Sequence, residues 1–149
     1  MDETERKRKQ EEERIRIIRE MNIVEEIHQI EEWTNRKVGN ILFDSDIDDW
    51  NYGTSIFDQR VMNKEHIIII IEDSEGNKFG GYVNEKIDKV DYFIKDSQSH
   101  LFSLESNGRM EEMKKFDIKY QQYAFCLLNK SHNCLFGFGL DDICVCKEK

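Results

Sequence analysis

His66-Ile67-Ile68-Ile69-Ile70-Ile71-Glu72 runs through Asp73-Ser74-Glu75-Gly76-Asn77 into Lys78-Phe79-Gly80-Gly81-Tyr82-Val83. Five consecutive β-branched residues are stiff at χ1 and suit a pleated surface, so the run predicts a strand. It is too uniformly apolar for a strand with one face in water, so it is expected to be buried on both faces and to lie at the centre of its sheet. The polar loop 73–77 returns the chain antiparallel, as a hairpin with a five-residue connection. Gly80-Gly81 inside the second strand predicts a bulge, or a close approach by another backbone or a large side chain.

Downstream, His100-Leu101-Phe102-Ser103-Leu104-Glu105 reads as another strand, closed by Ser106-Asn107-Gly108-Arg109, where Asn-Gly suits the positive φ angles of a tight turn. Later strands are expected over 116–118, 123–128, 134–138 and 143–146. Upstream, the hydroxyl of Thr54 or Ser55 is placed to cap a short helix over 56–62, with Asp58 three residues after Ser55 in a capping-box pattern. Short strands at this spacing, with only minor helices between them, predict an α+β, mainly β chain: an antiparallel β-sandwich with short flanking helices.

The first 34 residues contain no Gly or Pro and are rich in Glu, Arg, Lys and Ile, which predicts a helix. Its apolar residues begin only at Ile15 and include Met21, Ile23, Val24, Ile27, Ile30 and Trp33, a stripe at spacings of three and four that makes the helix amphipathic. Such a stripe serves packing on the chain's own domain, or coiled-coil pairing and self-association, although three heptads are not sustained. From Val38 the period turns extended and all eight glycines follow, so a charged arm over 1–37 precedes a domain over 38–149.

Composition narrows the function classes. Of 149 residues, 38% are hydrophobic and 36% charged, enough apolar surface for one domain and too little for two. Net charge is -9, with 9 basic and 11 acidic residues in 1–37 against 13 and 20 in the remainder, which disfavours nucleic acid and anionic lipid as partners. Lys7-Arg8-Lys9 is interleaved with Glu3, Glu5, Glu11, Glu12 and Glu13, so ion pairs along the helix explain it better than a nuclear address. No apolar leader follows Met1 and the aliphatic run 67–71 is far too short to span a bilayer, so a cytoplasmic protein is expected, with the nucleus as the alternative.

Motifs for chemistry are weak. Asp44-Ser45-Asp46-Ile47-Asp48-Asp49 begins like a calcium loop, but has Asp49 where the turn needs Gly and Ser55 where a bidentate Glu is needed. Cys126, Cys134, Cys144 and Cys146 are spaced C-x7-C-x9-C-x-C, without the paired knuckle of a zinc site even with His132 nearby. They are expected to be ordinary thiols, and all four remain candidates for redox chemistry. None of His28, His66, His100 and His132 shares a motif with a cysteine, and Gly137-Phe138-Gly139 lacks the context of a phosphate loop. No catalytic, metal or cofactor residue is therefore assigned, and the chain is not expected to be an enzyme.

The order of several short motifs resembles the TLDc domain family. Gly53-Thr54-Ser55-Ile56-Phe57 is similar to its opening, and strand 67–71 leads into Lys78-Phe79-Gly80-Gly81-Tyr82 as in its hairpin. Leu101-Phe102-Ser103-Leu104, then Phe136-Gly137-Phe138-Gly139 with Asp141-Asp142-Ile143, follow in family order. The resemblance covers about 38–146. It implies a β-sandwich flanked by helices that acts by binding other proteins, and it associates the chain with oxidative-stress protection and with regulation of the vacuolar-type proton-pumping ATPase. Phe79, Gly80, Gly81, Phe102, Gly137 and Gly139 are the motif positions, each expected to serve the fold rather than a contact. The family domain continues past a strand like 143–146, so the 38–149 domain is expected to lack its last strand or strands. Two other readings remain: a cysteine-based redox sensor or weak peroxide-handling enzyme, and a nucleic-acid-binding stress regulator.

Overall fold

A computed structural model describes residues 2–109 and 112–147 and divides the chain into two compact units, Met1–Gly39 and Asn40–Lys149. The first unit is built on α1, Glu3–Thr34. Asp2 caps its start, its carboxylate accepting from Glu5 N at 2.8 Å, and Asn35 ends it in the left-handed region at φ 56°. Both are residues whose short polar side chains suit these positions. Glu31 then accepts from Val38 N at 2.8 Å and fixes the chain's exit.

Ion pairs at three- and four-residue spacing run along the first half of α1. Lys7 meets Glu3 at 3.6 Å, Arg8 meets Glu12 at 2.6 Å, Lys9 meets Glu5 at 4.0 Å, and Arg16 is held by both Glu13 and Glu20. Each such exposed pair is screened by water and individually weak. Their effect is to spend the basic run on the helix's own carboxylates. Ile15, Ile17, Ile18, Met21, Ile23 and Val24 are exposed.

The second unit is a two-layer antiparallel sandwich. One sheet has the order β1-β2-β4-β5, formed by Ile67–Glu72, Lys78–Val83, His100–Glu105 and Lys114–Asp117. The other has the order β3-β6-β7-β8, formed by Phe93–Ile94, Phe125–Leu127, Cys134–Phe138 and Ile143–Cys146. The chain crosses between layers after β2, β3 and β5. Phe57, Phe125, Phe136 and Phe138 fill the space between, with Phe57 stacked on Phe136 at 5.3 Å and Phe125 edge-on to Phe138 at 5.0 Å. Aromatic pairs at such distances add about 0.5–1.5 kcal/mol beyond their burial.

The isoleucine strand is not central. β1 is the edge of its sheet, and while Ile67 is buried, Ile70 is 45% exposed. A β-branched run reports strand propensity, but whether both faces are covered depends on the neighbouring layers. The interior strands are β2 and β4, and in β2 Gly80 to Val83 are all buried. Its two glycines have separate reasons. A Cβ on Gly80 would collide with the carbonyl of Ile69 in β1, and one on Gly81 would lie 2.6 Å from the Phe138 ring of the opposite sheet. The bulge in this region falls elsewhere, at Lys78/Phe79 against β4.

Local predictions divide by how local their cause is. The 73–77 loop forms as a hairpin, with the Asp73 carboxylate accepting from Glu75 N, Asn77 N and Asn77 Nδ2. Asn107 and Gly108 take φ of 54° and 75°, and the two hairpin tips join where Asn107 N donates to Asn77 Oδ1 at 3.0 Å. The helix expected over 56–62 is α2, Phe57–Val61, with Ser55 Oγ accepting from Phe57 N at 3.2 Å. The capping box does not close: Asp58 turns to Gln59 N, and Ser55 N donates to Asn51 O. β5 starts at Lys114, two residues before the expected strand, and β3 was not anticipated. Two residues between Tyr92 and Lys95 carry no period to read.

Candidate functional site

Three polar clusters stand out, and each spends its hydrogen bonds inside the fold, on backbone or on neighbouring side chains. In the acidic turn, Asp48 accepts from Asp44 N at 2.8 Å and pairs with Arg60 at 3.6 Å, while Asp44 accepts from Asp46 N. Asp49 accepts from the backbone N of Asn51, and that bond first of all holds its carboxyl below the usual range. A loop that caps itself explains the alternation of carboxylates that resembled a calcium loop. Among the described residues, no group of three His, Cys, Asp or Glu side chains is arranged to hold a metal ion.

The second cluster lies where β1 begins and β2 ends. His66 Nδ1 is 3.2 Å from both the Tyr82 hydroxyl and Asn84 Oδ1, and the hydroxyl donates to Asn84 Oδ1 at 2.8 Å. The third is Asp96, 1% exposed, whose carboxylate accepts from Asn84 N at 2.7 Å, Glu85 N at 3.0 Å and Gln98 N at 3.0 Å. Three N–H donors satisfy a buried carboxylate without a cation. Asp96 thus ties the chain leaving β2 to the chain entering β4. Sequence reading missed both, because partners 11 to 18 residues apart carry no local signature.

The four cysteines do gather. Across the second sheet Cys126 pairs in register with Gly137, Gly137 with Cys144, and Cys134 with Cys146. Phe125, Leu127, Ile143 and Val145 belong to the core, so alternation turns Cys126, Cys144 and Cys146 to the sheet's other face, and the register shift between Cys134 and Phe136 in β7 brings Cys134 opposite Cys146. They are not equivalent. Cys134 and Cys146 approach to 3.5 Å between sulfurs, whereas Cys126 and Cys144 stand two strands apart, roughly 10 Å by strand spacing. Cys126 is buried, Cys134 half-buried, and Cys144 and Cys146 exposed.

Burial pushes the Cys126 thiol up, helped by Asp91. Burial also pushes up Cys134; the Cys144 thiol adds to this, and Cys146 and Lys147 oppose it. Neither is therefore a pre-ionised nucleophile. His132, the one histidine near a cysteine in sequence, uses Nδ1 to accept from the backbone N of Cys134 at 3.0 Å and not from its thiol.

The structure places the motif positions in the two sheets or directly beside them. Phe79 is half-buried opposite Ile71 and Ser103, Gly80 and Gly81 allow the two close approaches described above, and Phe102 is 2% exposed. Gly137 separates Cys126 from Cys144, and Gly139, at φ 62°, has the Asp142 carboxylate where a Cβ would sit. Two depressions on the surface are lined by polar and apolar groups alike. One of about 380 Å³ is lined by His28, Glu31, Glu32, Asn35, Arg36 and Lys37, and one of about 240 Å³ lies over Ser103, Glu105, Lys114 and Phe116. Neither has the enclosed, mostly apolar wall of a small-molecule site. Among the described residues no helix is long and apolar enough to cross a membrane.

No curated protein and no solved structure matches the chain. The model of the TLDc domain matches residues 13–145, taking in most of α1 as well as both sheets. The motifs over 38–146 gave no sign of that earlier start, because α1 is a repetitive helix-forming sequence without glycine landmarks. With a match over most of its length, the chain belongs to the TLDc domain family.

Proposed function

We propose that the chain is a non-enzymatic protein-interaction module of the TLDc type, working in the cytoplasm. The observation that carries this reading is the family match over residues 13–145. The polar clusters are consistent with it, since Asp96, Asp73, Asp44 and His66 are all engaged in holding backbone or neighbouring side chains. The partner class we assign is protein, with subunits of the vacuolar-type proton-pumping ATPase as the first candidates, in a role protecting against oxidative stress. Nucleic acid is disfavoured as a partner because Lys7, Arg8 and Lys9 are paired with glutamates in an acidic chain. Self-association through the exposed Ile17, Met21 and Val24 of α1 belongs to the same reading.

The test is a pull-down with the immobilised full chain from a lysate in which pump subunits are detected beforehand. Enrichment of those subunits over a bead control is expected. Their complete absence from the eluate refutes the pump assignment. The non-enzymatic part is tested separately: hydrogen peroxide should disappear no faster with the chain than with a variant in which all four cysteines are serine.

A further inference from the structure

We infer that Cys134 and Cys146 form a dithiol site that a low-molecular-weight disulfide oxidises to a cross-strand disulfide, stapling β8 to β7. The two residues are register partners on neighbouring antiparallel strands, with sulfurs 3.5 Å apart. Lys147 N donates to Asn133 O at 2.8 Å immediately beside them. That bond flanks the pair instead of joining it, which is the pattern of a non-hydrogen-bonded position, where facing Cα atoms come within about 4.5 Å and side chains are closest. Disulfides span Cα separations of about 4.4–6.8 Å, so closure to a bond of about 2.05 Å needs side-chain rotation and little backbone movement.

The surroundings hold this geometry. The Lys147 ammonium donates to Asn129 O at 3.1 Å and Lys130 O at 2.6 Å, anchoring the end of β8 to the loop that leads into β7. His132 Nδ1 receives Cys134 N at the start of β7. The non-core face leaves Cys146 and Cys144 exposed and Cys134 half-buried, so a small disulfide reaches the pair. Cys126 is buried across Gly137 and has no cysteine within reach.

The reaction is two-step thiol–disulfide exchange. The Cys146 thiolate, having given its proton to solvent, attacks one sulfur of oxidised glutathione, forming a mixed disulfide and expelling one glutathione thiolate. The Cys134 thiolate then attacks the Cys146 sulfur, the second glutathione leaves, and both released thiolates take up protons. Two protein thiols are oxidised and one external disulfide is reduced to two thiols. Cys144 lies beside this pair as the competing nucleophile.

The experiment incubates the folded full chain with oxidised glutathione, quenches with a maleimide, and measures intact mass. Two of four thiols should escape labelling, with loss of two hydrogens and no retained glutathione. Cys134, Cys144 and Cys146 share one tryptic peptide, so cleavage before Asp141 and Asp142 is used to separate Cys134 from the other two. C144S should keep the linked peptides, while C134S and C146S should lose them and retain glutathione as a mixed disulfide. Four labelled thiols in the folded wild type, a link that survives C146S, or a link formed only after denaturation would each overturn the assignment.

Discussion

Replacing Asp96 tests whether a single buried carboxylate holds the crossovers between the two sheets. In Asp96→Ala, Asn84 N, Glu85 N and Gln98 N lose acceptors at 2.7, 3.0 and 3.0 Å. A hydrogen bond to a charged group contributes about 1.5–3 kcal/mol, but Glu85 is exposed and Asn84 half-buried, so water recovers part of the loss. A net cost of about 3–4 kcal/mol is expected, a large share of the roughly 5–15 kcal/mol that holds a domain together. At about 4 °C per kcal/mol for a domain of this size, the midpoint should fall by about 12–16 °C. Asp96→Asn should cost about half as much, because one oxygen remains while the amide presents donors to donors. Urea unfolding followed by far-UV circular dichroism gives both values, with an unchanged slope showing that the same two states are compared. Asp88→Ala, at an exposed loop carboxylate, is the control and should shift stability by less than about 0.5 kcal/mol. A loss below about 1 kcal/mol in Asp96→Ala refutes the role given to this residue.

Three further outcomes follow from the packing and the charges. Gly80→Ala and Gly81→Ala should each lower the thermal midpoint through overpacking of about 1–3 kcal/mol, with Gly80 the worse, because its obstacle is the Ile69 backbone and that of Gly81 is the Phe138 ring; equal midpoints for variants and wild type would refute the close approaches. Burial first, and Lys115 second, hold the His100 imidazole below its usual pKa, against weaker opposing effects of a backbone hydrogen bond with Leu101 and of Asp117 and Asp96. The unfolded chain therefore binds the proton first, so stability should fall as pH drops below about 6.5, and His100→Gln should flatten that part of the stability–pH curve. A peptide of residues 1–36 should lose helicity in circular dichroism as salt rises from about 0.01 to about 1 M and the Debye length falls from about 30 to about 3 Å; no change would show that the pairs along α1 contribute nothing.

What could be read in the sequence was what nearest neighbours in the chain decide. Asp73 and Asn77 build their loop from five consecutive residues, Asn107-Gly108 supplies its own positive φ, and the helix-forming content of α1 needs no partner. The exchange of edge for centre between β1 and β2 has a different origin. Isoleucine content measures how well a strand fits a pleated surface, whereas position in the sheet is decided by how closely neighbours approach. Gly80 and Gly81 were the better indicator of the interior, since only a strand with backbone on one side and an aromatic ring on the other needs both side chains removed. Asp96 and the His66–Tyr82–Asn84 cluster were illegible for the same reason as β3: their meaning depends on residues that only the fold brings near.

The thiols show how register converts a uniform composition into unequal chemistry. In sequence the four cysteines are alike, and the short spacing of Cys144 and Cys146 makes them look like the natural pair. Strand geometry places those two on one face but about 7 Å apart along β8, beyond bonding distance. The turn of the β7–β8 hairpin sets Cys134 opposite Cys146, while Gly137 occupies the position opposite Cys144 and offers it no sulfur. The same glycine leaves Cys126 without a partner on that side. A slip of the β7–β8 register by one residue would end the facing of Cys134 and Cys146. The dithiol is thus a property of the hairpin, whose register sets Cys134 and Cys146 face to face.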